Sequence, residues 1–386
     1  MKRSTDRILT MHAGSLPRPP DVREMVMAKA AGQPYDEQAL ADRLRRAVAE
    51  IVQQQIAAGI DSINDGELGK TNFSNYAQER LGGFEVRHFG PGQGPEPQQI
   101  SGRDRLEFPE YFEASIGFTV SRPRDRQLFC TGPLTYVGRE RVQTDIANFK
   151  SALEGVTEQE PFLPAVAPGS IEHWLWNEHY PDQESFVYAI ADAMHEEYKA
   201  IADAGFVLQI DDPDLLDGWQ IHPELSVAEY RKFAEMRIDA LNHALRDIPR
   251  ESVRLHVCWG SYHGPHRYDI PLSEVVDLVL KVKAQAYSIE ASNPRHEHEW
   301  KVWRDVRLPD GATLIPGVVG HGSDFIEHPE LVAQRLLRYA EIVGRENLMA
   351  GTDCGLGTRV GHPKIAWAKF EAMAEGARLA SQQLWG

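Results

Sequence analysis

Four residues in the second half of the chain have the types and spacing of a metal site: His256, Cys258, Glu290 and Cys354. His256 and Cys258 stand two apart in Val253-Arg254-Leu255-His256-Val257-Cys258, which reads as a strand. Residues i and i+2 of a strand project to one face. Glu290 closes the next short apolar run, Tyr287-Ser288-Ile289, and Cys354 lies in Gly351-Thr352-Asp353-Cys354-Gly355-Leu356-Gly357 after the last one. Two thiolates, an imidazole and a carboxylate suit borderline-soft, tetrahedral zinc, whereas magnesium asks for oxygen ligands. By pattern alone the same residues fit, about equally well, a Cys258 that fills core space and a His256 that is hydrogen-bonded in the core. Cys130 reads as packed inside a strand. His263 and His266 follow Cys258 in a Gly/Pro loop, and their spacing gives no reason to make them ligands. Trp174, Trp176, Trp219 and Trp259 read as packing.

The elements that must position these residues alternate along the chain. Leu40, Leu44, Val48, Ile51, Val52 and Ile56 recur at spacings of three and four, predicting an amphipathic helix between Asp36 and Gly59. Further helices are predicted over Ser226 to Arg246, Ser273 to Lys283 and Pro329 to Val343. Short apolar runs at Ile8 to Ala13, before Glu67, and at Gln127 to Leu134, Phe206 to Ile210, Val253 to Cys258, Ala286 to Ile289, Leu314 to Val319 and Asn347 to Ala350 make eight strands. Alternating strands and helices imply a parallel sheet, and eight strands close a barrel. The expected fold class is therefore α/β, a single (β/α)8 TIM barrel over residues 1–386. Two segments fall outside the repeat and are expected as insertions: 83–107, which reads as a long loop, and 154–182, rich in Pro and Trp. Within the second, Phe162-Leu163-Pro164-Ala165-Val166 imitates a ninth strand.

Bulk composition narrows the function classes. With 42% hydrophobic and 25% charged residues, the 386-residue chain is ordinary for a globular enzyme with a large core. A formal net charge of −16 repels polyanions, so neither nucleic acid nor an anionic membrane is an expected partner. Three cysteines, an odd and low count, argue against a disulfide framework and fit a cytoplasmic location. Met1 to Thr10 lacks an apolar signal core, and no stretch approaches the roughly 20 apolar residues of a membrane span.

Leu255-His256-Val257-Cys258, Ser288-Ile289-Glu290-Ala291-Ser292 and Thr352-Asp353-Cys354-Gly355-Leu356 resemble, in order, the three zinc-ligand segments of the cobalamin-independent methionine synthases. His12-Ala13-Gly14-Ser15-Leu16-Pro17-Arg18, Asp65-Gly66-Glu67 and Gln209-Ile210-Asp211-Asp212-Pro213 are similar to three further motifs of that family. The similarity runs over about residues 8 to 375 and covers the catalytic C-terminal half of the long enzymes. Size and arrangement also resemble the epoxyalkane:coenzyme M transferases, stand-alone barrels of the same superfamily. The resemblance implies Zn2+ held by His256, Cys258, Glu290 and Cys354, activating a substrate thiol for attack on carbon. It implies an ammonium site at Glu67 and Asp211, a carboxylate site at Ser15, and His321 as proton donor to the leaving group. Asp212 stands where the family motif commonly has glutamate. Arg18 and Arg359 fit either the holding of an anionic substrate end or structural ion pairs.

Three functions follow as expectations. The first is methyl transfer to homocysteine or a similar aminothiol, with a small-molecule alkyl donor, a folate-type methyl donor among the candidates. Glu67 and Asp211 favour it, because two carboxylates welcome an ammonium group and repel a sulfonate. The alternative is opening of a small epoxide by a zinc-bound, coenzyme M-type thiolate. The third is a non-catalytic, zinc-stabilised binding protein. The sequence leaves the thiol, the donor and the oligomeric state open.

Overall fold

A computed structural model describes residues 1–72, 75–90, 93–96, 102–114, 126–357 and 359–386. Parts of the loop expected over 83–107, residues 91–92 and 97–101, lie outside the described residues. Eleven strands are present among them: β1 (Leu9–Thr10), β2 (Ser62–Ile63), β3 (Leu81–His88), β4 (Arg126–Tyr136), β5 (Glu160–Val166), β6 (Trp176–Asn177), β7 (Val207–Asp211), β8 (Val253–Val257), β9 (Ala286–Ile289), β10 (Thr313–Val319) and β11 (Met349–Thr352).

Eight of them form one parallel sheet in the order β1-β11-β10-β9-β8-β7-β5-β2. A parallel bridge between Met11 and Ser62 joins its two outer strands, so the sheet closes on itself as the expected barrel. Between consecutive barrel strands run helices such as Glu37–Ala57, Arg139–Ala152, Gln183–Asp203, Val227–Ala244 and Pro329–Val343, and Pro363–Trp385 follows the last strand. Their starts are written locally. The Asp36 carboxylate accepts the Ala39 amide, and Ser226 and Glu229 form a reciprocal capping box. The helix Glu37–Ala57 buries Leu40, Val48, Ile51 and Val52, the stripe its spacing predicts. The helix expected over Ser273 to Lys283 is shorter, an α-turn at Val276–Val279 after a 3-10 turn at Leu272–Glu274.

The strand assignment needs one exchange. The third barrel strand is β5, which contains Phe162 to Val166 and pairs with β2 and β7. The run Gln127 to Leu134 belongs instead to β4, which pairs antiparallel with β3 and parallel with the short β6 in a separate three-stranded sheet. The segment expected as loop from residue 83 begins inside a strand, Leu81–His88, and holds a helical turn at Gly102–Glu107. A buried strand and a half-buried one look alike as short apolar runs; the partner strand decides between them. No helix among the described residues is long and apolar enough to cross a membrane.

Candidate metal centre

The ladder sets the centre's geometry. Asp211 of β7 pairs in register with His256 of β8, and His256 with Ser288 of β9, so three polar side chains stand level near the C-terminal end of the barrel. That end is where barrel enzymes build their sites. Cys258 follows β8, Glu290 follows β9, His321 follows β10, and Cys354 follows β11.

His256, Cys258 and Cys354 bring their ligand atoms within 4.8 Å of one another. All three cysteines are free thiols. The Ser288 hydroxyl faces His256 Nδ1 at 3.3 Å, while Nε2 is buried without any hydrogen-bond partner. A partnerless buried ring nitrogen costs free energy unless something coordinates it. Two sulfurs beside it make a donor set that fits zinc, and the Ser288 hydroxyl gives the other ring nitrogen an oxygen partner, as metal-bound histidines commonly have. Cys258 is pushed well above the ordinary thiol range by Cys354 beside it and by burial. Cys354 is held well below that range, because the Cys258 thiol hydrogen-bonds to it and His256 stands near. Ser261 donates to Cys354 Sγ at 2.9 Å. Burial opposes charge on His256, but Cys354, Asp211 and Glu290 together raise its pKa.

Glu290 belongs to a neighbouring cluster, with ligand atoms of His321 and Asp353 within 4.8 Å. Its Oε2 accepts the Trp259 amide at 2.9 Å and its Oε1 the Asn293 side chain at 3.1 Å. Asp353 Oδ1 takes the amides of Ala291 (2.8 Å) and Ser292 (2.9 Å). Gly317 makes room for it, since a Cβ there would lie 2.0 Å from that oxygen. His321 is buried, and its Nδ1 has no partner. Three of the four expected zinc ligands thus form one cluster, with the fourth in the adjoining one. Asp353 could have been suspected, because it precedes Cys354 directly.

The expected ammonium ligands, Glu67 and Asp211, stand at the same end of the barrel. Glu67 has a φ of 55°, a left-handed conformation rare outside glycine, and its amide is held by Asp65 Oδ1 at 3.0 Å. This turn sends its carboxylate over Gly14, where a Cβ would lie 2.5 Å from Oε1. Lys70 Nζ stands 3.4 Å from Glu67 Oε2 and donates to the Pro164 carbonyl at 2.6 Å. Sequence reasoning missed this internal ammonium group, although its i+3 spacing from Glu67 was there to read. Asp211 accepts from Gln209 at 2.7 Å, and burial, with Glu67 adding repulsion against the pull of His256, pushes it up to about 7. Asp212 accepts the Ser170 hydroxyl at 2.9 Å, and burial beside Asp214 raises it to about 7 also. The Ser15 carbonyl accepts the Gly357 amide at 3.0 Å, tying the first loop to the one that carries Cys354. Arg18 spends its guanidinium on the carbonyls of Glu67 (3.1 Å) and Lys70, so it braces the Glu67 turn.

Comparison with known proteins adds relatives. Residues 128–378 match the family model described as the catalytic domain of the cobalamin-independent synthases. A methionine synthase of Thermococcus kodakarensis is 25% identical over 376 residues, covering 96% of this chain and 93% of its own. One of Sulfolobus acidocaldarius is 26% identical over 380 residues, covering 96% and 91%. Among solved structures, a B12-independent methionine synthase from Shewanella sp., in complex with selenomethionine, superposes with a TM-score of 0.71 at 21% identity, covering 98% of this chain and 99% of that one. A methyltransferase from Methanosarcina mazei has a TM-score of 0.55 at 12% identity, covering 99% and 95%, and shares the fold.

Proposed function

Because this chain belongs to the family of cobalamin-independent synthase catalytic domains, we propose that it is a zinc-dependent S-methyltransferase acting on homocysteine or a similar aminothiol, as a single barrel unit. The observation that carries this reading is the His256–Cys258–Cys354 cluster with a buried, partnerless Nε2 at the C-terminal end of the barrel.

His256, Cys258 and Cys354 would hold the ion, with Glu290 beside them as the exchangeable fourth donor. A bound zinc supplies a Lewis acid that keeps a substrate thiol deprotonated at neutral pH, where a free thiol of pKa about 8.5 is mostly protonated. Glu67 and Asp211 receive the ammonium group, and Asp211, at about 7, charges fully as the cation approaches. Lys70 shares Glu67 with it. Ser15 and its neighbouring amides take the carboxylate. His321 carries a ring nitrogen with no protein partner and presents its proton to the leaving group of the donor, a folate-type methyl donor being the candidate. A second reading, epoxide opening by a sulfonate-bearing thiol, draws support from Arg359, whose charge interacts with Cys354 and with His263.

Isothermal titration of homocysteine, coenzyme M and glutathione into zinc-loaded protein separates the two. Homocysteine binds best, and its des-amino analogue at least about tenfold worse, as loss of a charge-assisted contact of roughly 1.5–3 kcal/mol requires. Glu67→Gln weakens homocysteine and leaves the zinc in place. Tighter binding of coenzyme M, with Glu67→Gln silent, overturns the methyltransferase reading in favour of the epoxide one.

A further inference from the structure

Beneath the metal centre lies a chain of buried charges of which the proposed chemistry uses only the first member. It begins at Glu290, whose amide donates to the Val257 carbonyl at 3.2 Å while its own Oε2 receives the Trp259 amide at 2.9 Å. The side chain thereby stands in for the next rung of the β8–β9 ladder. One of its two oxygens is held by a main-chain group whose direction depends on how Trp259 sits. Trp259 is 1% exposed, and its indole N–H donates to the Ile270 carbonyl at 2.8 Å. The imidazole of His296 stacks on its ring system, with centroids 3.7 Å apart and planes 13° from parallel.

His296 is fixed in turn. Its Nε2 is 3.0 Å from Asp269 Oδ2 and its Nδ1 2.9 Å from Glu299 Oε2. Both partners are carboxylates, so both nitrogens carry protons and the ring is a cation over an indole face. Asp269 Oδ2 also meets His266 Nδ1 at 2.7 Å, and His266 Nε2 donates to the Tyr262 carbonyl at 3.1 Å. Gln220 completes Asp269 through Oδ1 at 2.8 Å, and the Leu272 amide completes Glu299 at 2.8 Å. Glu290, His296 and Glu299 line one cavity of about 10 Å³, no larger than a single water. The whole assembly straps the segment from Cys258 to Ile270 onto the loop after β9.

We infer that His296 is a positioning residue for Glu290: by stacking on Trp259 it fixes the main-chain N–H that holds Oε2, and so sets how readily this carboxylate gives up its place at the metal to an incoming thiol. This rests on the reading of Glu290 as the exchangeable donor. An N–H that keeps hold of one oxygen weakens Glu290 as a ligand and leaves it a place to retreat to. When the stack is lost the amide drifts, Glu290 binds the ion more firmly, and the thiol enters less easily. Partners one layer behind a metal ligand commonly matter by about 10–100-fold.

The test uses the full chain loaded with cobalt(II), whose visible absorption reports donor set and coordination number, together with chelator competition for the ion and titration of homocysteine. His296→Gln shifts the cobalt bands in the absence of thiol and weakens homocysteine about tenfold, while the ion stays bound through the two cysteines and His256. Trp259→Phe, which keeps an aromatic face and the main-chain N–H, stays near wild type. Asp269→Asn, which leaves the ring but cuts its anchor, gives the same change in smaller measure and serves if His296→Gln does not fold. Unchanged bands and homocysteine affinity in both His296→Gln and Asp269→Asn overturn the proposal, as does an equal disturbance by Trp259→Phe. Glu290→Gln is the control for the underlying reading. Bands that shift there but not in the His296 variant sink the positioning role alone, and bands that shift in neither remove Glu290 as a ligand and the functional reading of it too.

Discussion

His12 and His256 both lie in the barrel, both are almost wholly buried, and they serve opposite ends. His12, just after β1, has both ring nitrogens satisfied: Nε2 meets Gln55 Oε1 at 2.8 Å and Nδ1 accepts the Gly14 amide at 3.2 Å. The rings of Phe162 and Phe370 pack edge-on against it, and burial drives its pKa down to about 3, so it is a neutral packing residue. His256 has one nitrogen near Ser288 and the other without a well-formed hydrogen bond, with two sulfurs close by and Cys354, Asp211 and Glu290 favouring its charge. Burial is common to both and distinguishes nothing. What separates the regions is whether the protein has completed the hydrogen bonding of the buried ring or left an atom for something else.

The contrast can be broken most sharply at the metal. Cys258→Ser and Cys354→Ser should each cost most of the roughly one zinc per chain, read by elemental analysis after dialysis, with affinity falling about a hundredfold or more. His12→Gln should keep its zinc and lose on the order of 1–3 kcal/mol of stability in denaturant titration. Full zinc in both cysteine variants, or zinc lost from His12→Gln, would remove the distinction.

A second effect is smaller and belongs to chemistry alone. His321→Gln should lower kcat by about 10²–10⁴-fold with zinc content and homocysteine affinity unchanged, as removal of a general acid does. Parallel losses of zinc and turnover would instead make His321 part of the metal's support.

The smallest effect is on stability against pH and contrasts His12 with the His266–Asp269–His296 strap. Burial opposes charge on His266 and His296, but bonds to Asp269, and to Glu299 for His296, raise both to about 9. A raised histidine stabilises the fold fully below its unfolded value of about 6.5, and that contribution fades as pH rises through about 9. His12, lowered instead, stays neutral in the fold over this range and adds only an opposite slope near its unfolded value of about 6.5, which is spent at higher pH. Thermal unfolding followed from pH 6 to 10 should therefore show stability falling between about 6.5 and 9, with the slope reduced in His296→Gln. A flat profile in the unaltered chain would show that the strap is not charged.

Much of the site was legible in the chain because strand periodicity is local. His256 and Cys258 share a face by spacing, and Glu290 and Cys354 each follow an apolar run, which put four candidates at three strand ends. The two histidines remained indistinguishable at that level, since each sits at the polar edge of an apolar run, and only the partners around the ring differ. His266 and His296 were equally opaque: Asp269 is three residues from one and 27 from the other, and their shared bond appears only once the loops after β8 and β9 lie side by side. The misread strand has the same cause. Phe162 to Val166 and Gln127 to Leu134 are both short apolar runs, and membership of the barrel depends on which strand each meets.

By itself the sequence determined the alternating elements, the eight-strand count and the residue types able to hold zinc, because hydrophobic period and ligand chemistry are properties of short segments. The tertiary structure alone decided which apolar run closes the barrel, which buried histidine keeps an unsatisfied nitrogen, and that Glu290 leans on Trp259. These are matters of which groups from distant segments end within about 3 Å of one another, and hydrogen bonds and ion pairs at that range depend on geometry that no local pattern encodes.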